Sequence, residues 1–263
     1  MLAAIFLASL AGFPNSSHAL VLDWDSNAWA PGALINSYNL DGDAFNDITI
    51  SITSQQANIW QTDPTSGLQT PVTNQTLTGG LVPVENSLML AANLHTNSNT
   101  TIQISFTGGT SGNLPGAANV SFTLFDIDLS ADRDTITNIY GVAPDGTLVA
   151  ATITNVGSGV TLSGTGLGQF LTSNVVSANN SSNGNATISF GSTLIYDVFF
   201  TFGNSSGPPR YQDIGISDIT FTPVPEINPA ITSVGSCLLA GGMLVMVHRR
   251  RKAKPEATES NRS

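Results

Sequence analysis

The chain holds a single cysteine, Cys237, so no disulfide can form within it and no covalent cross-link contributes to its stability. Basic side chains are almost as scarce. Between Leu20 and Val224 the only ones are Arg133 and Arg210, and lysine is absent from that stretch. Nucleic acid is excluded as its ligand, because phosphate binding needs clustered Lys and Arg. Of three histidines, His18 lies in the leader and His248 in the basic tail, which leaves His95 alone. A histidine-based metal site then has too few ligands. A Ser-His-Asp hydrolase would rest on His95 in Asn-Leu-His-Thr-Asn, without the Gly-x-Ser-x-Gly elbow that presents such a nucleophile. Between Leu20 and Val224 a sustained helical period is also missing, which argues against packed helices.

What is present is apolar at both ends and acidic between them. Residues 1–19 read as a signal peptide: Met1 to Phe13 is apolar, and Ser17-His18-Ala19 supplies the small residues of a cleavage site. From Ile227 to Val247 no side chain is charged, a length that covers roughly the 30 Å of a bilayer's hydrocarbon core as a helix. Asn228 before Pro229 suits an N-cap and first turn. Arg249, Arg250, Arg251 and Lys252 follow as a cytoplasmic stop, so everything before Pro225 is expected outside. Residues 255–263 read as a disordered cytoplasmic tail. The formal net charge of −10 understates the acidity of the exported part, because the tail carries most of the basic groups.

Pro225 and Glu226, one apolar helix and a terminal arginine cluster, in that order over residues 225–254, resemble the PEP-CTERM sorting signal of bacterial exported proteins. Here Ile227 stands where the family's motif usually has a second proline. The resemblance implies an exosortase, a membrane-embedded cysteine transpeptidase, that recognises Pro225-Glu226 and cuts nearby. It also implies initial anchoring in the inner membrane and a final place in the cell envelope or on the outer surface.

Residues 20–224 alternate apolar and polar side chains in short runs between Gly, Pro, Asn and Ser breakers, which predicts an all-β, two-sheet β-sandwich of about nine or ten strands. Ile48, Ile50 and Ile52 share one face, as do Ile102, Ile104 and Phe106. Further strands are expected over 120–129, 134–142, 148–154, 170–176, 185–190, 194–202 and 214–221. The run 194–202 has large apolar groups at both parities and reads as a central strand covered on both sides. Asn179 to Asn185 reads as a mobile loop, and Gln55 to Asn86, broken by Pro64, Pro71 and Pro83, as a long excursion across the sandwich.

Three acidic stretches offer the oxygen ligands that calcium prefers. Asp126 and Asp128 have the parity of Phe122 and Leu124, so a regular strand would carry both inward, where a carboxylate needs a partner. Arg133 is the nearest candidate, with a bound cation as the alternative. Asp41, Asp43 and Asp47 form the second group, without the glycine position of an EF-hand loop, and Asp218 lies in the third, Ile214 to Phe221. The series Phe-Asp-Ile-Asp, Asp134-Thr-Ile-Thr, Phe202-Gly-Asn-Ser and Gly215-Ile-Ser-Asp-Ile-Thr-Phe resembles jelly-roll ectodomains of bacterial surface proteins. In similar final strands of carbohydrate-binding modules an Asp serves a structural calcium, which implies Asp218 with Asp23 or Asp25.

The expected function is a non-catalytic structural or adhesive surface component, with polysaccharide as a possible partner. The alternative is a carbohydrate-binding module, with Trp24, Trp29 and Trp60 as a sugar-stacking platform unless core packing consumes them. A glycoside hydrolase built on Asp126 and Asp128 is a third reading, since paired carboxylates can serve that chemistry.

Overall fold

The computed structural model describes residues 18–224 apart from 43, 55–59, 95–98, 107–115, 130–131 and 205–209. The leader up to Ser17, Pro225, Glu226, the apolar tail run, Arg249, Arg250, Arg251 and Lys252 lie outside the described residues, as do His95 and Asp43. Among the described residues no helix is long and apolar enough to cross a membrane.

Among the described residues sixteen strands, not nine or ten, make two antiparallel sheets. Sheet 1 runs β1 (Leu20–Leu22), β16 (Ile219–Pro223), β7 (Ala117–Phe125), β15 (Arg210–Ile216), β5 (Ser87–Leu94), β4 (Val72–Asn74), with β13 (Ala186–Ser189) on β7 and β10 (Thr152–Thr154) on β13. Sheet 2 runs β11 (Val160–Ser163), β12 (Phe170–Ser173), β8 (Asp134–Val142), β14 (Asp197–Asn204), β6 (Asn99–Phe106), β3 (Ile48–Ser54), β2 (Ile35–Tyr38), with β9 (Leu148–Ala150) on β8. Several of the unexpected strands are short ones of three or four residues beside breakers, but the eight-residue β5, Ser87–Leu94, was also not anticipated.

Period-two alternation puts one parity of each strand into a shared core. Ile48 and Ile50 of β3, Ile102 and Ile104 of β6, and Val198, Phe200 and Phe202 of β14 are fully buried from sheet 2. From sheet 1 they meet Val120 and Leu124 of β7 and Ile214 and Ile216 of β15, also fully buried, in one cluster. Phe122 packs on Phe200 across the sheets, ring centroids 5.8 Å apart.

Trp24 and Trp29 are both core residues, 1% and 2% exposed. Their rings meet edge to face at 6.5 Å, and Trp24 also meets Tyr38 at 6.0 Å. Trp60 is half-buried and packs against the same core. The tryptophans are therefore packing elements, and the alternative of a sugar platform built from them is not met.

Two connections shape the surface. The excursion crosses the edge and outer face of sheet 1 as expected: Trp60 bridges Ala92, Thr70 donates to the Ala91 carbonyl at 2.7 Å, and Leu77 covers Met89 and Ala91. Residues 179–185 are not a mobile loop. Asn179 accepts N–H groups of Thr78 and Gly79, Asn185 donates to the Gly79 carbonyl at 2.8 Å, and residues 182–184 form a short 3-10 turn. Two backbone hydrogen bonds to the Asn179 carbonyl and one from the Asn185 side chain tie this segment to the excursion.

Candidate functional site

The outer face of sheet 2 takes its shape from a parity change in β8. Ile136 and Ile139 are both buried although three residues apart, and Asn138 between them has φ +53°. Asn tolerates this left-handed conformation better than other side chains. The extra residue appears as a register shift opposite Phe199 and Thr201 of β14, a β-bulge. Without it Tyr140 would share the inward parity of Ile136. With it Tyr140 turns outward and stacks on Phe199, ring centroids 5.4 Å apart and planes 29° apart.

Register extends this pair into rows across the sheet. One row is Ile35, Ser51, Gln103, Phe199, Tyr140 and Ala150, each opposite the next on neighbouring strands. The adjacent row is Ser37, Thr49, Ser105, Asp197, Val142 and Leu148. Beyond the aromatic row lie Thr53, Thr101, Thr201 and Thr137. Six strands spaced about 4.8 Å apart make a face roughly 24 Å wide. Phe199 and Tyr140 are half-buried; β14 is central as expected, its outer parity half-buried at Asp197 and Phe199 and buried from Thr201 on.

Beside the ring pair, Asp197 is held in place. Its Oδ1 accepts Ser105 Oγ at 2.5 Å and Gln103 Nε2 at 3.1 Å, and Gln103 also reaches Ser105 Oγ at 3.2 Å. Both fixed donors point at one oxygen, and among the described residues Oδ2 has no donor. Ser37 and Thr49 hydroxyls meet at 2.8 Å further along the same row. None of Gln103, Ser105, Asp197, Tyr140 and Phe199 was a candidate from sequence, because their adjacency depends on strand pairing and on the bulge.

The acidic residues fall into three places. Asp218 Oδ1 accepts the Trp24 N–H at 2.9 Å, and burial followed by the charges of Asp23, Glu85 and Asp25 pushes its carboxyl up. The structure thus brings Asp218, Asp23 and Asp25 within electrostatic reach and adds Glu85. Their oxygens serve local donors: Asp23 takes Asp25 N–H and Ser26 Oγ, and Asp25 takes Asn86 N–H. Asp47, 4% exposed, accepts Leu40 and Asp41 N–H groups at 2.6 and 3.3 Å, while Asp41 is exposed.

Asp126 and Asp128 do not alternate in a strand. β7 ends at Phe125, Asp126 adopts φ +61°, and both side chains are buried in the crossing to sheet 2. Arg133 is exposed and is not their partner; the nearby ion pair joins Arg210 to Asp132 at 3.6 Å. Asp128 Oδ2 accepts Ser177 N–H, and its own N–H donates to Asp134 Oδ2, both at 3.0 Å. Asp134 on β8 and Asp213 on β15 complete the group. Burial, then the charges of Asp213 and Asp128, push Asp126 up to about 8. Burial, then Asp128, push Asp213 up to about 6, and burial raises Asp134 well above the carboxylate range. Among the described residues the buried Oδ1 atoms of Asp126 and Asp134 have no hydrogen-bond partner. Asp126 and Asp128 are 6% and 8% exposed, so they line no open cleft of the kind a glycosidase needs. The 214–221 stretch is two strands, β15 and β16, separated at Ser217 and Asp218 because Asp218 turns to cap Trp24. Among the described residues no three His, Cys, Asp or Glu side chains are grouped to hold a metal ion.

No family model and no curated protein matches the chain. Among solved structures it is similar to the CBM27-1 module of Caldicellulosiruptor saccharolyticus in complex with mannohexaose, at 12% identity and a TM-score of 0.34, over 80% of this chain and 100% of that one. It is also similar to the family 11 carbohydrate-binding module of a Clostridium thermocellum cellulosomal cellulase, at 11% identity and a TM-score of 0.28, over 81% and 99%.

Proposed function

We propose that this chain is a glycan-binding β-sandwich carried to the cell envelope, where it ties polysaccharide to the surface. The observation that carries the reading is the half-buried Tyr140–Phe199 stack in the middle of a hydroxyl-rich sheet face. Flat rings offer a sugar's C–H face a large contact at low entropic cost, and a few fixed polar groups beside them orient its hydroxyls. Asp197, Gln103 and Ser105 are such groups, already locked to one another before any ligand arrives. Preorganised side chains lose less freedom on binding, which favours affinity.

The remaining parts of the proposal come from the sequence. Export follows from the apolar leader and the tail run, and the Pro225-Glu226 resemblance supplies an exosortase as processing partner. Calcium is the cation proposed for the junction of first and last strands, where the charges of Asp23, Glu85 and Asp25 add to burial in pushing the Asp218 carboxyl up.

The test is electrophoretic mobility in gels containing soluble polysaccharides. At least one polymer should retard the protein, Tyr140→Ala should abolish the retardation, and Thr152→Ala, exposed on the other sheet's outer face, should keep it. Equal retardation of all three proteins, or none by any polymer, removes the reading.

A further inference from the structure

We infer that the sheet 2 face selects neutral glycans and rejects uronic or sulphated ones, with Asp197 as the residue that decides. This rests on the glycan-binding reading above. Asp197 stands two residues from Phe199 on the same strand and opposite Ser105, so it borders the ring pair on the outer face. Its Oδ1 is committed to Ser105 and Gln103, which leaves Oδ2 as the acceptor a sugar hydroxyl would meet. A carboxylate accepts an O–H strongly, at short distance. It repels a ligand carboxylate or sulphate held in the same position, and like-charge juxtaposition is among the largest penalties a binding face can impose.

Among the described residues of these rows no cation relieves that repulsion. The rows flanking Asp197 hold Ser, Thr, Gln, Val, Leu, Ile and Ala, with no Lys or Arg among them. Over residues 20–224 fifteen acidic side chains stand against Arg133 and Arg210. Arg210 is engaged by Asp132 in the ion pair beneath the β14–β15 end. The general field and the local acceptor therefore act in the same direction. The rows also set the ligand's direction. The ring pair and its polar neighbours align across the strands from β2 to β9, so a linear chain would lie perpendicular to them.

The experiment compares a neutral β-glucan with polygalacturonate as gel-immobilised probes, in chelator so that no divalent ion bridges carboxylates. The neutral polymer should retard the wild type, and polygalacturonate at least about tenfold less. Added salt should narrow the gap by screening the repulsion. Asp197→Asn, close in shape, should weaken neutral binding and raise polygalacturonate binding, with an unchanged melting midpoint showing that the fold is intact. Polygalacturonate binding the wild type as well as glucan does, or a gap that ignores both salt and Asp197→Asn, overturns the selectivity while leaving glycan binding in place. Retardation by neither polymer removes both.

Discussion

Asp218 Oδ1 accepts the backbone N–H of Trp24 at 2.9 Å, and Trp24 Nε1 donates to the Ser217 carbonyl at the same distance. One short segment between β15 and β16 thus holds the chain's first strand from both sides of a buried indole. Asp218→Ala leaves the Trp24 N–H without its acceptor, and the expected loss is about 1–3 kcal/mol in denaturant unfolding. Millimolar calcium should raise the melting midpoint of the wild type, because selective binding to the native state stabilises it, and should do less for Asp218→Ala. A midpoint that does not move between calcium and chelator removes the cation from the account.

The buried carboxylates make stability fall as pH rises. Asp126, pushed up to about 8, and Asp213, pushed up to about 6, bind protons in the folded state that the unfolded chain releases near the ordinary value of 3.8. Their contribution is complete below about pH 4 and is lost between there and about pH 8. The melting midpoint should be higher at pH 5 than at pH 8.5. Asp126→Asn keeps a side chain that accepts φ +61° and removes the titrating group. It should raise the midpoint at pH 8.5 by several degrees and leave it nearly unchanged at pH 4.

Asn138 tests the bulge. Valine at φ +53° is strained, so Asn138→Val should cost about 1–3 kcal/mol and weaken glycan retention as Tyr140 loses its outward position. Asn138→Gly, which accepts that backbone conformation freely, should keep retention.

Strict alternation made β3 and β6 legible, because Ile48, Ile50, Ile52 and Ile102, Ile104, Phe106 have no second arrangement that buries them. The central place of β14 was legible for a different reason, the large apolar groups at both parities of 194–202. The glycan face was not. Tyr140 has the parity of a core residue, and only a left-handed Asn138 reverses it. An Asn inside a strand of alternating residues was the one available signal. Core packing, the use the sequence favoured for the tryptophans over a sugar platform, is what the structure shows, with Tyr38 and the first-to-last strand junction enclosing Trp24. The Asp126–Asp134–Asp213 group was half visible: two of its members lie close in sequence, but β15 brings the third from 79 residues beyond Asp134.

Processing tests the tail. With Pro225→Ala and Glu226→Ala together, the protein should retain its C-terminal run and stay with the membrane fraction. Unchanged removal of the tail would contradict recognition at that pair.

Amide NMR titration with a soluble neutral oligosaccharide addresses the glycan face most directly. Shifts should concentrate at Gln103 to Ser105, Tyr140 to Val142 and Asp197 to Phe199, and should disappear in Tyr140→Ala. Shifts confined to the acidic crossing around Asp126 and Asp134, or none at saturating ligand, would contradict the account.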